Sequence, residues 1–308
     1  MKDLALLDAT AQAALVSSGE VTAVELVDAA IERIDRLNPT LNAVIHTRYD
    51  EAREDAASAE SPQGPFRGVP FLIKDIGATQ AGLPYWVGNQ ALKAAGHMSP
   101  ADTVLGARFR DAGLITLGKT NLPDFAGHGT RTNSTVAGMT LNPYDVDNVP
   151  GGSSGGTATA VNASFAVLGL GTETGGSIQN PASAQGLVGV KPTYGLVPLE
   201  GVVPLSGFYV DVVGPLARSV HDAALVRVVQ RLGRLDPDVL LEARRYRVVL
   251  VRHDAVGRDG DLLLELEDQV GLVDHPALGV LLRRRQVLLV AERRSGVDPL
   301  NERVDLDR

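Results

Sequence analysis

Three separated pieces of this 308-residue chain carry residue types that could transfer an acyl group together. Lys74 ends the apolar run Gly68-Val69-Pro70-Phe71-Leu72-Ile73, Ser153 and Ser154 lie inside Gly151-Gly152-Ser153-Ser154-Gly155-Gly156, and Ser177 follows Gly175-Gly176. There is no Cys, so a thiol nucleophile, a thiolate metal site and a disulfide framework are all excluded. Acyl transfer without Cys or an obvious His partner can run on a serine hydroxyl with a lysine base. Such a site needs a hydroxyl nucleophile, an amine that is neutral at working pH, and backbone N–H groups for the oxyanion. Gly175-Gly176-Ser177 offers the first and the third, because glycines let the main chain turn its N–H groups into a concave nest. Ser153 or Ser154 can relay a proton. Lys74, at the end of a buried strand, has its ammonium form disfavoured by desolvation and so becomes a base.

The elements that must position these groups follow from periodicity and turn chemistry. Between the two Gly/Ser clusters, Ala158 to Leu170 is too apolar for a solvated linker; Gly155-Gly156 opens a helix, and Phe165 to Leu170 reads as a buried strand. Upstream, Asp8 to Val16 is helical and ends near Gly19. Thr22-Ala23-Val24-Glu25 is a capping box for a helix carrying Leu26, Ala29, Ile31 and Ile34, which Pro39 should stop. Asn42 to Thr47 reads as a strand, Tyr49 to Ala59 as a helix, and Gly68 to Ile73 as a buried strand. Asp102 to Asp111 is helical before Gly113, Leu114 to Lys119 returns as a strand, short strands are expected around Lys191-Pro192, and Ser219 to Leu232 is a helix. The alternation predicts an α/β fold.

Composition narrows the class. The formal net charge is −8 and no basic run precedes Arg283, which disfavours a nucleic-acid surface. No stretch approaches a membrane span and Met1-Lys2-Asp3-Leu4 lacks a signal-peptide core, so a cytoplasmic location is expected. The six His (His46, His97, His128, His221, His253, His275) are scattered without ligand spacing, so no metal is expected. After Phe208 there is no Lys, Ile, Thr, Met, Phe or Trp, whereas 16 of the 24 Arg lie there. The expected division is therefore a core over residues 1–232 and an atypical tail over 233–308, diverged, truncated or read in a shifted frame. Val248 to Val251 and Val287 to Val290 are its candidate strands.

The motifs Gly151-Gly152-Ser153-Ser154-Gly155-Gly156, Gly171-Thr172-Glu173-Thr174-Gly175-Gly176-Ser177-Ile178, Pro181-Ala182 and Gly189-Val190-Lys191-Pro192-Thr193 stand in the order of a known family. With Gly68 to Asp75 and Gly118-Lys119-Thr120-Asn121 upstream, the chain resembles the amidase signature family from about Leu4 to Leu225. The resemblance implies a mixed central β-sheet flanked by helices on both faces, and a Ser-cisSer-Lys triad that hydrolyses amides, sometimes esters or carbamates. By motif position Ser177 is the nucleophile, Ser153 the bridging serine after a cis peptide, and Lys74 the base. The N–H groups around Thr174, Gly175, Gly176 and Ser177 would form the oxyanion hole. Ser154 and the Thr174 hydroxyl are candidate supporting partners. Glu173 stands where the family usually has Asp, and Gln179-Asn180 replace an Arg-containing step. No cofactor is implied; the expected partner is a small amide, ester or carbamate, with a homodimer allowed and neither nucleic acid nor membrane involved. An amidase-like component of a glutamine-dependent tRNA amidotransferase, and a catalytically incompetent remnant, are the alternatives.

Pocket walls are expected from Tyr85 and Trp86, which suit an apolar acyl group, with His128 and Ser154 as further substrate contacts. Lys119 and Lys191 read as structural, and Asp75 and Asp124 as partners in surface ion pairs. Gly152 to Gly156 also satisfies G-x-S-x-G, which would make Ser154 a nucleophile with Asp222 and His253, but the segment before it, Asn142 to Asp147, is not a strand. No Lys follows the glycines at phosphate-loop spacing.

Overall fold

The computed structural model describes residues 4–127, 130–202, 205–206, 211–232, 247–248 and 291–292. Helix α1 (Ala9–Ser18) starts at Asp8, whose carboxylate accepts from the Ala11 N–H, and stops at Gly19 in the left-handed region, φ 75°. Helix α2 (Ala23–Leu41) has the reciprocal capping box of Thr22 and Glu25. Pro39 does not stop it. The ring sits in the last turn, where the missing N–H removes one hydrogen bond, and the helix runs on to Asn42 at φ 50°. The Asn38 side chain then fastens the helix end to the next strand, accepting from Ala43 N–H and Val44 N–H and donating to the Val44 carbonyl.

Strand β1 (Val44–Thr47), helix α3 (Tyr49–Ala57), strand β2 (Val69–Lys74), the short helix α4 (Gln90–Ala94), helix α5 (Val104–Asp111) and strand β3 (Leu114–Thr120) follow. A small hairpin of β4 (Asn133–Ser134) and β5 (Gly138–Met139) precedes helix α6 (Gly155–Asn162), strand β6 (Leu168–Glu173), helix α7 (Gln179–Ala184), strand β7 (Val188–Gly189), strand β8 (Val212–Ala217) and helix α8 (Val220–Leu232). Arg247–Val248 (β9) pairs antiparallel with Ala291–Glu292 (β10). Thus Val248 of the first candidate tail strand is paired, whereas Val287 to Val290 lie outside the described residues.

Six strands make one mixed sheet in the order β1-β3-β2-β6-β8-β7. The centre, β3-β2-β6, is parallel, and β1, β8 and β7 join antiparallel. Because β2, β3 and β6 run the same way, their C-terminal ends meet on one edge, carrying Lys74, Thr120 and Glu173. Side chains alternate across the pleat: Phe71 and Ile73 join Phe109, Leu105 and Val226 on one face, while Leu72 joins Val27, Ile34, Leu117 and Phe165 on the other. Helices therefore cover both faces.

Two strand expectations shift. The second apolar piece of the Gly/Ser tract begins as a turn, with Ser164 at φ 58° and the Phe165 N–H returning to the Ala160 carbonyl, so β6 starts at Leu168. Around Lys191-Pro192 only β7 forms, because Pro192 has no N–H for a ladder. Strand β8 is obscured in the sequence by Gly214 and Pro215, yet it pairs with β6 along its whole length. No helix among the described residues is long and apolar enough to cross a membrane.

Candidate active site

Alternation along β2 places Lys74 on the face of Leu72, the face that α6 covers. On β6 the same face carries Gly169 and Gly171, while Leu168 and Leu170 fill the opposite core. This glycine stripe lets α6 approach the sheet: a Cβ on Gly171 would lie 2.9 Å from Ser154 Oγ, and one on Gly169 would lie 2.6 Å from Thr157 Cγ2. The start of α6 is thereby pressed against the end of β2.

Lys74 is completely buried, and its Nζ lies 2.7 Å from Ser153 Oγ, 2.9 Å from Ser154 Oγ and 2.9 Å from Thr172 Oγ1. It has no ion-pair partner among the described residues. Burial lowers its pKa from 10.5 to about 7, with Glu173 acting in the opposite sense. The Gly152–Ser153 peptide bond is cis.

The two Gly/Ser clusters are stitched together by the backbone. The Ser154 N–H donates to the Ser177 carbonyl at 3.2 Å, and the Gly152 N–H donates to Asn180 Oδ1 at 3.1 Å. Ser177 is half-buried, after Gly176 at φ 102°, a conformation that favours glycine. Glu173, 2% exposed, closes this turn from behind: its carboxylate accepts from Ile178 N–H (2.8 Å), Gln179 N–H (2.9 Å) and Gln179 Nε2 (2.5 Å). The two departures from the family pattern therefore meet in one contact. Thr174 donates its hydroxyl to Asp211, whose other oxygen accepts from Leu205 N–H and Ser206 N–H. A shallow, open cleft lies beside this end of β6, lined by Ile76, Thr172, Thr174, Val202, Leu205, Asp211 and Val212.

Other expected residues fall elsewhere. Ser154 is fully buried, with its hydroxyl committed to Lys74 and β6. Tyr85 is 6% exposed, its hydroxyl accepting from Gly77 N–H, and Trp86 packs edge-on against His46; neither lines the cleft. His128 lies outside the described residues. Asp75 is no surface group: it is 1% exposed, receives Trp86 N–H and Gly88 N–H, and faces buried Lys119 at 3.5 Å. The segment after β2 folds over the strand end and buries the pair. Asp124 forms no ion pair among the described residues but holds Thr135 through its N–H and hydroxyl. Asp222, proposed by the G-x-S-x-G pattern, instead accepts from Ala9 N–H and Thr10 N–H at the start of α1.

Sequence reasoning gave no role to Thr172 or to Gln185, which donates to the Pro150 carbonyl at 2.7 Å, and it marked Asn180 only as part of a departure from the family pattern, not as the acceptor of the Gly152 N–H. Their only signal was proximity to the glycine clusters.

The family described as Amidase matches residues 25–237. A glutamyl-tRNA(Gln) amidotransferase component from Thermobifida fusca (strain YX) is 42% identical over 232 residues, covering 73% of this chain and 46% of that protein. Among solved structures, 6-aminohexanoate cyclic dimer hydrolase superposes with a TM-score of 0.71 at 37% identity, covering 77% of this chain and 48% of that one. The peptide amidase from Stenotrophomonas maltophilia gives a TM-score of 0.69 at 38% identity, covering 77% and 50%. The chain spans about half the length of the relatives it matches.

Proposed function

The chain belongs to the amidase family, and from that premise we propose that residues 1–232 form a cytoplasmic serine amidohydrolase unit with Lys74 as base, Ser153 as proton relay and Ser177 as nucleophile. The bond cleaved is the carbon–nitrogen bond of a small amide, anilide or carbamate. One observation carries this reading: a fully buried lysine with a pKa of about 7 touches three hydroxyls and, among the described residues, no carboxylate. A charged structural lysine at that depth would call for a paired carboxylate.

In the proposed reaction, neutral Lys74 accepts the Ser153 proton while Ser153 accepts that of Ser177, and the Ser177 oxygen adds to the substrate carbonyl. The resulting oxyanion is met by the N–H groups of residues 174–177. Support comes from Gly175, Gly176 and Ser177, whose N–H groups have no acceptor among the described residues. Collapse returns the proton along the same path to the leaving nitrogen, and water repeats the cycle on the acyl-enzyme.

The test is the intact mass of the chain before and after a serine-reactive fluorophosphonate, with peptide mapping. One adduct on Ser177, absent in Ser177→Ala and slowed in Lys74→Met at neutral pH, is expected. An adduct elsewhere, or wild-type labelling in Lys74→Met, overturns the assignment.

A second reading, an amidotransferase component that works with partner chains, is favoured by the name and 42% identity of the Thermobifida relative. Glutamine hydrolysis to glutamate, or co-purification with partner chains, would select it.

A further inference from the structure

We propose that Thr172 is a positioning residue that takes one N–H of Lys74 and thereby leaves the amine's lone pair to Ser153; this rests on the role proposed above for Lys74. A neutral lysine amine has two N–H donors and one lone pair, yet three hydroxyl oxygens lie within 2.7–2.9 Å of Nζ. Two of them must accept and one must donate.

Ser154 is already assigned. Its single hydrogen goes to the Thr172 carbonyl at 3.2 Å, and its oxygen accepts the Thr172 N–H at 3.3 Å. Its remaining capacity is one acceptor site, which Lys74 fills. The second N–H then goes to Thr172 Oγ1 or to Ser153 Oγ. If it went to Ser153, the lone pair would face Thr172, and the base would be turned away from its relay. With Thr172 accepting, Ser153 is the donor, and its contact is the shortest of the three. Residue 172 thus holds the amine through both its backbone, which fixes Ser154, and its own hydroxyl.

Thr172 is well placed to hold one orientation. It is 7% exposed, and its methyl group lies so close to the backbone at Gly77 that a Cβ there would approach Cγ2 to 2.6 Å. Gly77 donates its N–H to the hydroxyl of buried Tyr85, which fixes the backbone on that side. Beyond Thr172 lies the open cleft.

The test uses the full chain with ε-¹³C-lysine labelling, since only Lys2, Lys74, Lys93, Lys119 and Lys191 contribute signals. Thr172→Val keeps the shape and removes the acceptor; Thr172→Ser keeps the acceptor. The ammonium form needs three acceptors, so Thr172→Val should lower the Lys74 titration midpoint below that of wild type. It should also slow fluorophosphonate labelling of Ser177 by roughly 10–100-fold, with Thr172→Ser near wild type. A merely structural role would reduce labelled protein in proportion to lost fold and leave the midpoint in place. An unchanged midpoint in folded Thr172→Val overturns the proposal, as does a shifted midpoint with wild-type labelling. If Thr172→Val does not fold, loss of rate or a shifted midpoint in folded Thr172→Ser overturns it. A wild type that forms no Ser177 adduct strikes the reading of the site instead, and the lysine midpoint then still judges Thr172.

Discussion

Replacing Lys74 by Met removes a titrating group while keeping the length of the side chain, and the pH dependence of stability should reveal what that group was doing. Burial moves the Lys74 pKa from 10.5 down to about 7. In the unfolded chain the lysine has its ordinary value, so between about pH 7 and 10.5 the unfolded state holds the extra proton. Stability from this residue therefore rises with pH across that window. Below it both states are charged and the burial cost is at its full size; above it both are neutral and the cost is gone. At about 1.36 kcal/mol per unit, the span amounts to at most about 5 kcal/mol. The assay is urea unfolding of wild type and Lys74→Met from about pH 6 to 10, read as the difference between the two proteins. Lys119, whose pKa burial also lowers, is present in both and cancels. The difference should be flat at the acid end and then climb in favour of wild type, with a slope of up to about 1.4 kcal/mol per pH unit. A difference that is constant with pH, or that falls as pH rises, would show instead that Lys74 is held charged in the folded protein.

Glu173 raises the Lys74 pKa through its charge, so Glu173→Gln should move the acid limb of Ser177 labelling to lower pH; an unmoved limb would show that the two groups do not communicate. Gly171→Ala puts a Cβ 2.9 Å from Ser154 Oγ, and should cost about 1–3 kcal/mol in urea unfolding while slowing Ser177 labelling. Wild-type labelling in that variant would mean that α6 need not sit so close. Asp75→Asn leaves the buried Lys119 amine without its counter-charge, and a loss of about 3–5 kcal/mol is expected, largely recovered by adding Lys119→Met. A loss below about 1 kcal/mol would mean that Lys119 is already neutral.

What the sequence determined by itself was local. The capping box at Thr22 to Glu25, the buried strand ending at Lys74 and the helix opened by Gly155-Gly156 all form, because each depends on side chains a few residues apart. The separated serine and lysine motifs were legible for the same reason: glycine clusters and a charge after an apolar run are local departures from ordinary composition. Pro39 misled because a proline's effect depends on where the helix would end, and the Asn38 contacts with β1 decided that. Strand β8 was hidden because its neighbour in the sheet, β6, is distant in sequence. Only the tertiary structure could show that Lys74 is held by Thr172, because the two residues are 98 positions apart and meet through the pairing of β2 with β6. It also decided the state of that amine, since a pKa near 7 is set by how completely distant segments exclude water from Nζ.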